Sequence, residues 1–201
     1  MNDATITLDT ATARKAMINS QLRTSGVNEE YVLARMMAVG REDFLPADKA
    51  PLAYIDRSVA LDGGGHLASA LFYGKLLTEA DPDAADSVLI IEGGTGYLAA
   101  LIEPLVSSVT TVSTDQAAAG EGGKADTYSL ILVDGAIEEL PKGFTNSLRD
   151  RGRIVGGLVE RGVTRLVSGR KIAGQTAIQA VEDIGIPVLP QFNKAKAWTF
   201  S

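Results

Sequence analysis

The stretch LIIEGGTGYLAAL, residues 89–101, carries the densest chemistry in this chain. An apolar strand run leads into Gly93, Gly94 and Gly96, and an apolar helix start follows. That is the arrangement in which α/β proteins lay backbone amides against a nucleotide. Glycine suits such a turn because it takes left-handed backbone angles and lets another chain approach closely. Glu92 stands at the mouth of the turn and admits two readings. It is either a solvated charge at the positive end of the next helix, or a carboxylate facing the pocket in the place of a ligand's own. No lysine accompanies the glycines, so the turn is not a phosphate loop of the Walker type. Ser113 and Asp115, at the end of VTTVS, and Asp134, in LVDGA, are the other polar groups expected at this edge. Ser69 closes a loop, residues 62–69, that can fold over it.

These residues need a frame. SVLII, VTTVS, YSLILVDGA and RIVGGLV are β-branched apolar runs separated by helical segments, which predicts a mostly parallel sheet wound on both faces. VTRLVSGRKIAGQTAIQAVED alternates about KIAG and predicts a hairpin at an antiparallel edge. Ligands in such sheets sit beyond the carboxyl ends of the strands, where Glu92–Gly96, Ser113–Asp115 and Asp134–Ala136 fall. TATARKAMINSQLRTSG and VNEEYVLARMMAVG predict two helices, the first stopped by Gly26 and the second capped by Asn28. REDFLPADKAPLAYIDRSVAL reads as irregular, GGGHLAS as a flexible entry to a third helix, and RDRGR as a solvated turn. The organisation expected is a helical, substrate-side extension over 1–80 packed on a core over 81–201, forming one globular unit.

Composition removes several classes of function. A hydrophobic content of 45% supports a packed core. A net charge of -6 argues against non-specific nucleic-acid binding. The absence of cysteine excludes disulfides and thiolate chemistry, and a single histidine, His66, argues against a histidine-built metal site or a serine–histidine triad. His66 itself reads as a solvent-facing loop residue. Arg14 and Arg41, with Glu42, read as structural ion-pair partners. MNDATITLDTATARKAM has neither a basic start nor an apolar run, and no segment is long enough to span a membrane, so the expected address is the cytoplasm.

MINSQLRTSGVNEEYVLARMMAVGREDFLP, LAYIDRSVAL, VLIIEGGTGYLAAL and YSLILVDGAIEELP, in this order, resemble the protein-L-isoaspartate O-methyltransferases, from about Arg14 to the C-terminus. The specific matches are Gln21-Leu22, Val32-Leu33, Arg41-Glu42, Ala53-Tyr54 and Asp56. The resemblance implies a Rossmann-like methyltransferase fold, S-adenosylmethionine as cofactor, no metal, and an isoaspartyl protein or peptide as partner. It places Ser69 as the residue that holds the substrate carboxylate, with His66 and Leu67 where the family has glutamine and threonine. It places Glu92, Gly93, Gly94, Gly96, Ser113 and Asp134 at the cofactor. It also exposes departures: Glu92 replaces the family's first glycine, Ile90 an acid, and Ser113 the ribose acid, with Asp115 nearby. The segment DQAAAGEGGKADT is too short for a crossover, strand and second crossover, so one sheet strand after Thr114 is expected to be missing.

Two functional readings follow. One is an isoaspartyl carboxyl methyltransferase for protein repair, in which the substrate carboxylate is the nucleophile and the protein chiefly positions it. The other is a pseudoenzyme on the same fold, a binding or scaffold protein that no longer takes the cofactor normally. A different nucleotide enzyme fits less well, since the acid after the second strand is absent. The sheet edge left by the missing strand predicts a homodimer.

Overall fold

The computed structural model describes residues 9–121 and 123–194. Helix α1 (Thr10–Met17) starts where the Asp9 carboxylate accepts from the Thr12 amide at 3.1 Å. It continues through a π-helical turn, Ile18–Leu22, and a 3-10 turn, Arg23–Ser25, to Gly26 at φ 82°. A left-handed residue there stops the helix at little cost because glycine has no Cβ. Helix α2 (Glu30–Ala38) is preceded by Glu29 and has no side-chain cap, so Asn28 does not take the capping role expected of it. Residues 1–8 and 195–201 lie outside the described residues, as does Gly122 between β4 and β5.

The segment expected to be a flexible entry is a small antiparallel ladder. β1 (Val59–Ala60) pairs with β2 (His66–Leu67), and α3 (Ala70–Ala80) follows at once. The six-stranded main sheet is built from β3 (Ser87–Glu92), β4 (Ser108–Ser113), β5 (Tyr128–Ile137), β6 (Leu148–Glu160), β7 (Val163–Ile172) and β8 (Gln175–Asp183). Their order across the sheet is β4-β3-β5-β6-β7-β8. The pairs β3–β4, β3–β5 and β5–β6 are parallel, and the closing hairpin adds β7 and β8 antiparallel. This is the Rossmann-like α/β arrangement with an antiparallel edge. β4 ends the sheet, and between it and β5 residues 114–127 hold only the short helix α5 (Thr114–Ala118).

Successive strand side chains point to opposite faces, which divides the core in two. Val88, Ile90, Leu130 and Leu132 pack with α3, with α4 (Tyr97–Ile102) and with Met17, Leu22, Val32 and Met36 of the N-terminal helices. Residues before and after position 80 therefore share one apolar cluster. Leu89, Ile91, Ile131 and Val133 face the other way, toward Ala117 of α5 and Phe144 of α6 (Lys142–Ser147). RDRGR is not a turn but the irregular start of β6, with Arg149, Asp150 and Arg151 exposed as expected. Arg153 reaches back to Asp86 at 2.6 Å and to the carbonyls of Ala80 and Asp81, tying β6 to the entry of β3. Among the described residues no helix is long and apolar enough to cross a membrane.

Candidate functional site

The register places Ser113 beside Glu92, and Glu92 one step beyond the paired Ile91 and Val133, so Glu92 at the end of β3 and Asp134 within β5 lie on the same face. Their side chains behave differently because their surroundings differ. Glu92 folds back over the glycine turn, and its Oε1 accepts from the amides of Gly94 (3.1 Å), Thr95 (3.1 Å) and Gly96 (2.9 Å). Of these residues Gly96 is the N-cap of α4, which begins at Tyr97, and Gly94 and Thr95 belong to the turn before it. Half-buried, Glu92 lies at the start of α4, as the first reading has it, and turns its carboxylate inward onto the turn amides. Asp134 is fully buried within β5. The Gly93 amide donates to its Oδ2 at 3.3 Å.

Burial chiefly, and then the Glu92 charge, push the Asp134 carboxyl well above the usual carboxylate range, while hydrogen bonds from Tyr73 and the Gly93 amide oppose this. Glu92 Oε2 and Asp134 Oδ1 are buried, and neither accepts a hydrogen bond from the described residues.

Gly93 has no room for a side chain. A Cβ there would stand 2.4 Å from the Asp134 carbonyl oxygen, 2.9 Å from Asp134 Oδ2 and 2.9 Å from His66 Nε2. Gly94, at φ 120°, lies against Gly65, and a Cβ on Gly65 would come within 2.7 Å of the Gly93 carbonyl. The His66 amide donates to that carbonyl at 3.0 Å. The loop before α3 therefore rests on the glycine turn, backbone to backbone. His66, expected in solvent, is 6% exposed. Burial pulls its pKa down, opposed by the Asp134 carbonyl and the Glu92 charge, and its Nε2 closes no hydrogen bond of good geometry. Its position was hidden in the sequence because it follows from the β1–β2 pairing rather than from any local pattern.

Ser69 stands apart from this turn. Its Oγ accepts from the Phe72 amide at 3.3 Å and so caps α3, leaving the hydroxyl proton free to donate. It lines an open cleft of about 620 Å³, with His66, Asp56, Arg57, Thr164 and Ile186 among the other walls. His66 is common to this cleft and to the surroundings of Gly93. The preceding residue is held firmly: the Ala68 amide donates to the Tyr73 hydroxyl at 3.2 Å, and the Ala68 carbonyl accepts from Arg41 Nη2 at 2.7 Å. Arg41 is fully buried, also donates to the Ala53 carbonyl at 2.6 Å, and lies over the Tyr73 and Tyr97 rings. It is not the ion-pair partner expected, because Glu42 is taken by Arg14 at 2.9 Å.

The residues expected at a cofactor divide accordingly. Glu92, Gly93, Gly94, Gly96 and Asp134 come together, while the Ser113 hydroxyl is taken up in a capping box with Gln116 at the start of α5. Asp115 accepts from Gln191 at 3.1 Å. The turn amides are satisfied from within, Ser113 and Asp115 are engaged elsewhere, and Gly65 lies on Gly93 and Gly94. In this conformation the residues do not fit a nucleoside cofactor. Among the described residues no group of His, Cys, Asp and Glu is placed to hold a metal ion.

Residues 12–120 match the family described as protein-L-isoaspartate(D-aspartate) O-methyltransferase. A protein-L-isoaspartate O-methyltransferase of Koribacter versatilis is 29% identical over 193 residues, covering 85% of this chain and 87% of that protein. One from Methanoregula boonei is 31% identical over 166 residues, covering 71% and 76%. Among solved structures, a Plasmodium falciparum protein described as a protein-L-isoaspartate O-methyltransferase, in complex with S-adenosyl-L-homocysteine, superposes with a TM-score of 0.66 at 14% identity. It is matched over 98% of its length and 89% of this chain. A second structure of that description gives 0.70 at 18% identity, over 65% of its length and 88% of this chain. These solved structures bear on the fold. The names of the relatives favour the methyltransferase reading over that of a scaffold.

Proposed function

The chain belongs to the protein-L-isoaspartate O-methyltransferase family, and from that premise we propose that it methylates isoaspartyl carboxylates of damaged proteins or peptides. S-adenosylmethionine supplies the methyl group in this reading. The observation that carries it is the placement of Ser69: a hydroxyl with a free proton, in a cleft that shares the His66 wall with the glycine turn. A carboxylate entering the cleft is already a nucleophile, so the chain has only to hold it in place. The Ser69 hydroxyl donates to it, and Arg57 lends the cleft a positive charge. Arg41 and Tyr73 act through Ala68 by fixing the backbone that presents Ser69. In this reading residues 1–80 form the substrate side and 81–201 the sheet core.

Labelled S-adenosylmethionine incubated with an isoaspartyl peptide tests the reading. Base-labile label on that peptide, and none on its aspartyl counterpart, is the expected result; equal counts on both sink it. We place the activity in the cytoplasm, and we propose a homodimer formed through the β4 edge, where Thr110 and Thr111 are exposed. A single monomer mass in light scattering overturns the dimer.

A further inference from the structure

We propose that Glu92 is an internal occupant of the cofactor turn: its carboxylate holds the Gly94, Thr95 and Gly96 amides that a bound molecule would take, and S-adenosylmethionine enters only when Glu92 swings out. This inference rests on the methyltransferase reading above.

A glutamate that merely complements the positive end of a helix needs no more than proximity. Glu92 does more, since a single oxygen collects three adjacent amides. Such a cluster of converging N–H groups is an anion site, and here the anion is part of the chain. The surroundings also hold polar atoms with nothing to do. Asp134 is fully buried with Oδ1 unmatched, Glu92 Oε2 is unmatched, and His66 Nε2 is buried without a good partner. Buried polar groups are seldom left in this state unless a ligand or a proton completes them.

The cover over the turn is built to lift. Gly65 and Gly64 have φ of 80° and 84°, and nothing lies within 4 Å of where a side chain on Gly63 or Gly64 would stand. Gly65 and His66 touch the turn. The glycines close the β1–β2 hairpin, where the Gly64 amide donates to the Leu61 carbonyl and the Leu61 amide to the Gly65 carbonyl, so the hairpin lifts as one piece with His66. Opening thus has two parts: the loop rises from Gly93 and Gly94, and the Glu92 carboxylate leaves the three amides.

Calorimetric titration of the full chain with S-adenosyl-L-homocysteine tests the proposal without relying on turnover. Glu92→Ala empties the amides, and the expected result is affinity about tenfold or more above that of the unaltered chain. Glu92→Gln keeps the size and removes the charge, and a smaller gain in the same direction is expected. If both variants bind measurably but no tighter than the unaltered chain, Glu92 is no occupant and the proposal fails while the methyltransferase reading stands. If no form gives heat while thermal melting shows all of them folded, the reading itself fails and the proposal with it.

Discussion

Glu92, at the end of β3, and Asp134, within the neighbouring parallel strand β5, lie on the same face one step past the Ile91–Val133 pair, and their carboxyl groups meet over Gly93. Like charges so placed cannot both be ionised at low cost, so the buried member keeps its proton. The loop carrying His66 lies against the pair.

The first prediction concerns pH. The Asp134 carboxyl is raised in the folded chain above its ordinary value of 3.8, so folding favours the protonated form. Its contribution is fully present below that value and is lost as pH rises toward and through the folded pKa. Urea unfolding from pH 4 upward is therefore expected to show stability falling with pH, and Asp134→Asn to flatten that fall. His66 works the opposite way: its pKa is lowered, so its contribution is present above 6.5 and lost as pH falls through the folded value. An unchanged slope in the Asn variant contradicts the raised Asp134 carboxyl.

Ser69 has two separable duties. Ser69→Ala removes the cap of α3 and is expected to cost about 0.5–2 kcal/mol of stability, together with most methyl transfer. Ser69→Asn restores a capping side chain, so stability returns while transfer stays low. Recovery of both by the Asn variant shows that the hydroxyl only caps the helix.

How much of this was legible in the residues depends on the range of the interaction. The sheet and its missing strand were readable because β-branched runs, helix-length spacers and a crossover too short for a strand are local signals. Even the side of Glu92 follows from parity, since it lies two residues after the buried Ile90. Three features were not readable. His66 is buried by pairing with a strand several residues earlier, and nothing in GGGHLAS announces that. Arg41 looked like a partner for its neighbour Glu42, but consecutive residues in a tight turn diverge, and Glu42 is claimed by Arg14 from a helix far earlier in the chain. Arg153 lies in a run that looks solvated, and Asp86 supplies the reason it is not.

Arg41 is expected to be costly to remove. Among the described residues it forms no salt bridge, and it satisfies two buried carbonyls, those of Ala53 and Ala68. Arg41→Met leaves both unmatched, at a cost of about 2–4 kcal/mol. Denaturant unfolding measures it, and a loss below about 0.5 kcal/mol means water replaces the guanidinium.

Gly65 tests the contact between loop and turn. Gly65→Ala meets two obstacles, a left-handed φ of 80° and the Gly93 carbonyl at 2.7 Å. A loss of about 1–3 kcal/mol is expected, with faster hydrogen exchange of the His66 amide as the loop lifts. Exchange as slow as in the unaltered chain shows that the loop holds by other contacts.

The short run from β4 to β5 has a further consequence, for the order of folding. β3, β4 and β5 are the three neighbours at one side of the sheet, and only residues 114–127 separate the last two. The entropy lost in closing a loop grows with its length, by roughly 0.6 kcal/mol for each doubling. Contacts between segments close in sequence also form sooner. This side of the sheet, with the Glu92–Asp134 pair at its end, is thus placed to assemble early, ahead of the longer reach from Asp86 to Arg153 that fastens β6 to β3.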